Sequence, residues 1–220
     1  MLLRHSRLFA AIALLSLSLA STAGAAVLWD QTDLNPTGEG SLNLSSNSCS
    51  QISGNTKLHT ANDVTFSTPV NITTVRIYET NGNVETATQA YLWIAPKTGT
   101  LPTNSSTEVN NAANIVPITI SYEGGVVVVT ASGLNRALAA GSYWVSLTPR
   151  HSRGLFPYTV HRVTSSIVGD PSPVIEACTA NSNWLYALAP NMYDYAMKIE
   201  GEIPVPAVPS SWGLIKSTYR

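Results

Sequence analysis

The sequence predicts an all-β protein, an antiparallel β-sandwich that is jelly-roll-like and has about eight to ten strands. After residue 25, short apolar or alternating runs dominate, and clusters of Gly, Pro, Asn and Ser separate them. The 3.6-residue period of amphipathic helices is almost absent there. Only 11% of residues are charged, against roughly a quarter in an average soluble domain. Ser, Thr and Asn supply the polarity instead, which is typical of extracellular β-proteins.

Nine runs have the length and composition of strands, and turn-forming residues bound them. The predicted strands are Val27–Asp30, Asp63–Phe66, Ile72–Glu79, Gln89–Ile94, Ile115–Ser121, Gly125–Thr130, Ser142–Thr148, Phe156–Val163 and Tyr193–Glu202. Between two of them, Asn135–Ala140 is expected to form a single helical turn. The sequence Glu123-Gly124-Gly125 predicts a hairpin turn. The apolar run from Val126 to Val129 that follows it predicts a strand covered on both faces.

The first 25 residues have the pattern of a signal peptide. A basic start precedes the uncharged run Leu8–Ala20, and small residues follow at Ala23 and Ala25, so we expect cleavage just before Ala26. The alternative is a membrane anchor, which the run disfavours because it is shorter than the roughly 20 residues that span a bilayer. We therefore expect the export machinery to secrete the chain to the cell surface or medium, with the periplasm as an alternative.

The charge balance argues against nucleic acid as a partner. Loss of Arg4 and Arg7 with the signal peptide would leave 10 of the 12 basic side chains against 13 acidic ones, a net charge of −3. No basic patch is visible in the sequence, whereas proteins that bind nucleic acid carry one.

The chain has two cysteines, Cys49 and Cys178. In an exported protein an even number predicts a disulfide, here one joining an early loop to a late one. The alternative is two unpaired thiols. A metal site is disfavoured, because no His or Cys stands near either cysteine in the sequence.

No catalytic or metal-binding motif is evident. His59, His151 and His161 lack the spacing of zinc ligands and are interpreted as surface or loop residues, and no Gly-x-Ser-x-Gly elbow occurs.

A structural calcium ion is the one cofactor that the composition leaves open. Asp30 with Asp33, or Asp63 with Asp170, would contribute oxygen ligands, although the sequence shows no cluster of them.

Side-chain alternation along the strands predicts a set of aromatic rings on the faces opposite the aliphatic core. These rings are Tyr78, Tyr91, Trp93 and Trp144, with Arg76 beside them as a hydrogen-bonding group. Because sugar rings stack on flat aromatic faces, an outward set would form a carbohydrate-binding platform. The alternative is that the rings form a second layer of core under covering segments.

The C-terminal residues 203–220 combine a proline-rich linker with a short tail. Alternate prolines favour an extended linker, so the domain is expected to span residues 26–202. The tail resembles the start of the C-terminal sorting tags of the PEP-CTERM type and their Ile-Pro-Thr-Leu relatives, in which a Pro-rich motif leads into Ser-x-Trp-Gly-Leu-Ile. The matching residues are Pro204, Pro206, Pro209, Ser211, Trp212, Gly213, Leu214 and Ile215. The membrane-spanning run of such tags does not follow, so the tail resembles a truncated tag and anchoring through it is not expected.

Parts of the domain also resemble the β-sandwich that often precedes such tags. The matching segments are Val27–Gln31, Ala61–Phe66, Ile72–Tyr78, Leu138–Leu147 and Asp194–Gly201. The resemblance implies location and architecture and no particular reaction. We therefore expect a structural or adhesive module without catalysis, with polysaccharide or matrix components as partners. The alternatives are a carbohydrate-binding module that uses the aromatic face and, third, a secreted hydrolase.

Overall fold

The computed structural model describes residues 25–32, 41–43, 58–79, 87–103, 106–109, 111–150, 159–163, 175–178, 184–186 and 194–204. Its strands are β1 Ala26–Gln31, β2 Ser41–Asn43, β3 Leu58–Phe66, β4 Val70–Glu79, β5 Gln89–Pro96, β6 Ile115–Pro117, β7 Thr119–Glu123, β8 Val126–Ala131, β9 Arg136–Leu138, β10 Gly141–Pro149, β11 Thr159–Val163, β12 Ile175–Cys178, β13 Trp184–Tyr186, β14 Asp194–Tyr195 and β15 Met197–Glu202. One helical turn, α1 (Ser106–Val109), and a 3₁₀ turn (Ala112–Asn114) lie between β5 and β6.

The strands form two antiparallel sheets, which confirms the predicted β-sandwich. The nine-stranded sheet has the order β1-β15-β4-β11-β14, with β8 and β9 also paired to β4, β7 to β8 and β2 to β11. The six-stranded sheet has the order β13-β12-β3-β10-β5-β6. The order along each sheet differs from the order along the chain, so most neighbours in space are distant in sequence.

The main core lies between the two sheets and is aliphatic. Alternate residues of each strand point into it, as the two-residue period requires. Its buried members include Val64, Phe66, Ile72, Val75, Ile77, Leu92, Val127, Val129, Val145, Leu147, Met197 and Ile199.

Each of the nine predicted strands coincides with at least one strand of the structure. The predicted helical turn at Asn135–Ala140 is wrong. Arg136–Leu138 forms β9, and its residues pair with the first part of β4, Ala137 opposite Asn71. Pairing with an open strand edge satisfies backbone groups that one isolated turn of helix would leave largely unpaired.

The hairpin between β7 and β8 confirms the turn prediction. Glu123 pairs with Val126, and Gly124 and Gly125 between them have φ angles of 60° and 85°. A two-residue turn with positive φ at both positions matches the twist of the strands, and glycine adopts it without strain. The strand that follows is buried on both faces, because Val127 and Val129 face the main core while Val128 packs on the opposite side.

The two ends of the described domain pair with each other. Ala26, the first residue of β1, lies opposite Gly201 near the end of β15. A β-bulge between Glu200 and Gly201 interrupts the pairing of β15 with β4. A Cβ atom at Gly201 would overlap the carbonyl oxygen of Asn71 and lie 2.7 Å from Leu28 Cδ1. Glycine is therefore required at this position by the close approach of the neighbouring strand.

Replacing Gly201 with alanine should lower the free energy of unfolding by about 1–3 kcal/mol, as overpacking of a tight site does. The measurement is urea denaturation of the wild type and Gly201→Ala. Gly99→Ala is the matched control, because the nearest atom to its Cβ is the Leu101 carbonyl oxygen at 3.8 Å. Equal midpoints for the two variants would show that the β1–β15 corner is looser than described.

Candidate functional site

The structure separates the five predicted ligand-binding residues into two groups. Arg76 and Tyr78 lie on β4 in the nine-stranded sheet, whereas Tyr91, Trp93 and Trp144 lie on β5 and β10 in the six-stranded sheet. The prediction of a single platform is therefore wrong, because β4 and β5 belong to opposite layers of the sandwich.

The rings are also buried. The exposed fraction is 6% for Tyr78 and Tyr91, 4% for Trp93 and 1% for Trp144. The alternation that separated them from the aliphatic core was correct, but the faces that they occupy are covered. The prediction of an outward platform is therefore wrong, and the alternative of a second core layer is confirmed. Aromatic rings of this size stabilise a fold most when they are removed from water.

Trp93 and Trp144 form an outer-face cluster on the six-stranded sheet together with Ala61, Ala95 and Val109. The two small residues on β3 and β5 make room for the indole rings. Val109 comes from α1, so a segment outside the sheet helps to cover them. The described contacts define this part of the face as packed interior.

A row of polar groups continues the same face beside Tyr91. His59 Nδ1 lies 3.1 Å from Thr148 Oγ1, and Ser146 Oγ lies 3.2 Å from the same hydroxyl. His59 also meets Tyr91 edge to face, with ring centroids 5.9 Å apart. The guanidinium of Arg150 lies over the Tyr91 ring, with its Cζ atom 5.2 Å from the ring centroid.

The surface or loop interpretation of His59 is wrong, because this side chain is completely buried on β3. A hydroxyl within hydrogen-bond reach of an imidazole is the arrangement of an activated nucleophile. Here Ser146 and Thr148 are also buried, with exposed fractions of 0% and 5%, so the three side chains face other protein groups and not solvent. The contacts support an internal hydrogen-bond network. His151 lies outside the described residues, and His161 lies on β11, where only the backbone pairing is described.

Lys97 and Asp63 form the closest ion pair among the described residues. Lys97 Nζ donates to Asp63 Oδ2 at 2.7 Å, and the exposed fractions of the two side chains are 11% and 4%. The ammonium also lies 5.0 Å from the centroid of the Trp144 ring. The charge pair thus borders the outer-face cluster and is largely removed from water.

On the nine-stranded sheet, Arg76 belongs to a row of alternating charges across the outer face. Its guanidinium lies 3.4 Å from Glu200 and 3.8 Å from Glu123. Lys198 lies 3.8 Å from Glu200 and 3.6 Å from Asp30. Partly exposed pairs of this kind contribute about 0–1 kcal/mol each, so the row favours the strand register more than it stabilises the fold.

Tyr78 packs under this row against Val128 and Ala196. Burial raises its pKa above the ordinary value of 10.0, Glu123 adds to the increase, and Arg76 opposes it. The folded state therefore holds the phenolic proton more tightly than the unfolded chain does.

The remaining site predictions fall largely outside the described residues. Cys49 is outside them, and of Cys178 only the backbone pairing with Leu58 is described, so the disulfide stays a prediction. Within the described ranges, no group of three or more His, Cys, Asp or Glu side chains is arranged to hold a metal ion. Asp30 and Asp63 lie in different sheets and each contacts a lysine. Their proposed calcium partners, Asp33 and Asp170, are not described.

Comparison with known proteins adds no family to this picture: no family model, curated protein or solved structure matches the chain. Among the residues that the structure describes, no helix is long and apolar enough to cross a membrane.

Truncating Trp144 to alanine should lower the free energy of unfolding by about 3–5 kcal/mol, the usual effect of deleting a large buried ring. Chemical denaturation measures it. Tyr122→Ala is the control, because Tyr122 is 60% exposed and its truncation should change stability by less than about 0.5 kcal/mol. Similar effects for the two variants would mean that the outer-face cluster is not a core layer.

The raised pKa of Tyr78 predicts a loss of stability in alkali. Because the folded state binds the phenolic proton more tightly, its stability is full below about pH 10 and decreases as the pH rises through the folded-state pKa. Tyr78→Phe should reduce this alkaline loss, which thermal unfolding at a series of pH values measures. The same slope in the variant and the wild type would contradict the prediction.

Proposed function

We propose that this chain is an exported β-sandwich module of the cell surface or extracellular matrix, with a structural or adhesive role and no catalysis. The observation that carries the proposal is the pairing of Ala26 with Gly201. Ala26 is the residue at which the mature chain is proposed to begin, and it is also the first residue of β1. The first described strand therefore starts where the signal peptide is proposed to end.

The geometry of the domain ends suits a displayed module. Since β1 and β15 are adjacent and antiparallel, the mature N-terminus and the exit to Ile203 and Pro204 lie at the same corner of the sandwich. The proline-rich linker would leave the sandwich from that corner, with both sheets turned to the surroundings. Two of the large apolar side chains that are exposed, Val27 and Ile203, also lie at this corner.

The described surface favours a structural or adhesive role over a sugar platform. The four rings predicted to form that platform are buried, and the surface presents hydroxyl groups such as the Thr65–Ser142 pair, 2.7 Å apart. The segment 203–220 is proposed to be a proline-rich linker followed by residues that resemble a sorting tag. The proposed partners are polysaccharide or matrix components, which polar groups spread over a sheet can contact through many weak hydrogen bonds.

The mature protein recovered from the exporting cell should begin at Ala26, which N-terminal sequencing and intact mass will show. Replacing Ala25 with phenylalanine should leave the chain unprocessed, because the peptidase accepts only small residues there. Val27→Phe, beyond the cut, is the control and should be processed normally. A full-length chain in the cytoplasm of the wild type would refute export and with it the proposed function.

The adhesive role is tested by removing the chain from its native host. Loss of cell cohesion or surface attachment, restored by the wild-type chain and not by the Ala25→Phe variant, is the expected result. Unchanged cohesion, together with a defect in the hydrolysis of an external substrate, would favour the hydrolase alternative.

A further inference from the structure

The largely buried ion pair of Lys97 and Asp63 holds an amine against a carboxyl group. We propose that Lys97 Nζ and Asp63 Cγ condense into an isopeptide bond that ties β3 to the end of β5 across β10. The inference does not depend on the display role, because it rests on the arrangement of these two side chains alone.

The backbone fixes both reacting groups. Asp63 pairs with Trp144, and Trp144 pairs with Ala95, so β3, β10 and β5 align in one row. Lys97, two residues beyond Ala95, extends this ladder by donating its backbone N–H to the Ser142 carbonyl at 2.8 Å. The lysine side chain thus runs back along the outer face to the aspartate, and neither backbone needs to move.

The two functional groups are in direct hydrogen-bond contact. Nζ lies 2.7 Å from Oδ2, and Oδ2 is bonded to the carbon that the amine must reach. Reacting groups that a fold holds in a near-attack arrangement behave as if at concentrations on the order of 10⁵–10⁸ M, and this contact keeps the amine beside its target carbon. The hydrogen bond also supplies the path for the first proton transfer, from the ammonium to the carboxylate.

The surroundings favour the neutral product of the condensation. Removal of both groups from water imposes a desolvation cost on the charged pair, which the neutral amide product does not carry. Trp144 excludes water from one side of the ammonium. Its indole Nε1 is buried and has no hydrogen-bond acceptor among the described residues.

The atoms balance without any other reactant. After proton transfer, the lone pair of Nζ attacks Cγ and forms the C–N bond, and the Cγ–Oδ2 bond breaks. Oxygen leaves as water with two of the three ammonium hydrogens, and the third remains on the amide nitrogen. No electron donor or acceptor is needed, and the product is a neutral amide in place of a buried ion pair.

Mass spectrometry of the exported wild-type protein under reducing conditions tests the proposal. The intact mass should be lower by one water, about 18 Da, than the mass calculated from the sequence of the recovered chain. Trypsin should fail to cut after Lys97, and residues 58–76 should appear joined to residues 77–136. An unmodified mass after prolonged incubation, with normal cleavage after Lys97, would show that the pair is an ion pair only and would overturn the proposal.

Two lysine variants make the test specific. Lys97→Arg keeps the positive charge but cannot form the amide, so its full mass should return and its melting temperature should fall. Lys198→Arg is the matched control, because Lys198 faces Asp30 at 3.6 Å on the other sheet, and it should keep the loss of one water. Loss of water that persists in Lys97→Arg would place the modification elsewhere and would also overturn the proposal.

Discussion

The fold depends on β10 being buried on both of its faces. This strand lies between β3 and β5 in the six-stranded sheet, and every residue from Trp144 to Pro149 is buried. Val145 and Leu147 fill the space between the sheets, while Trp144 fills the layer on the opposite side. A strand with apolar surface on both faces loses stability wherever either layer is open, so the covering segments of the outer face are as necessary to the fold as the second sheet.

This constraint explains why the aromatic residues do not form a binding surface. Trp93, Trp144 and Tyr91 complete the outer layer over β10 and its neighbours, and the polar row of His59, Ser146 and Thr148 continues that layer with its hydrogen bonds satisfied internally. The lysine–aspartate pair lies at the border of the same layer. Among the described residues, the aromatic rings, the polar row and this ion pair thus all belong to one packed layer on the outer face of the six-stranded sheet.

The sequence was sufficient to predict the longer strands and their faces, and insufficient to predict the short strands β2, β9, β12 and β13 or how deeply each face is buried. Alternation along β5 and β10 separates Leu92, Val145 and Leu147 from the rings because successive side chains point to opposite sides. It carries no information on what covers the second side, and for Trp93 part of that cover is Val109, distant in sequence. The burial of His59 escapes prediction for a related reason, because the predicted strand begins at Asp63 whereas β3 begins at Leu58. Extending the alternation back from Asp63 places His59 and Asp63 on the same face.

Hydrogen exchange of the backbone amides of β10 in the folded protein is the most direct test of the claim that this strand is buried on both faces. Residues 143–148 should exchange only through global unfolding, with an opening free energy equal to that from denaturant unfolding, while the edge strands β1 and β7 should exchange faster through local opening. Exchange of β10 as fast as that of β1 and β7 would contradict this claim, because the strand would then lack the second buried layer on which the fold depends.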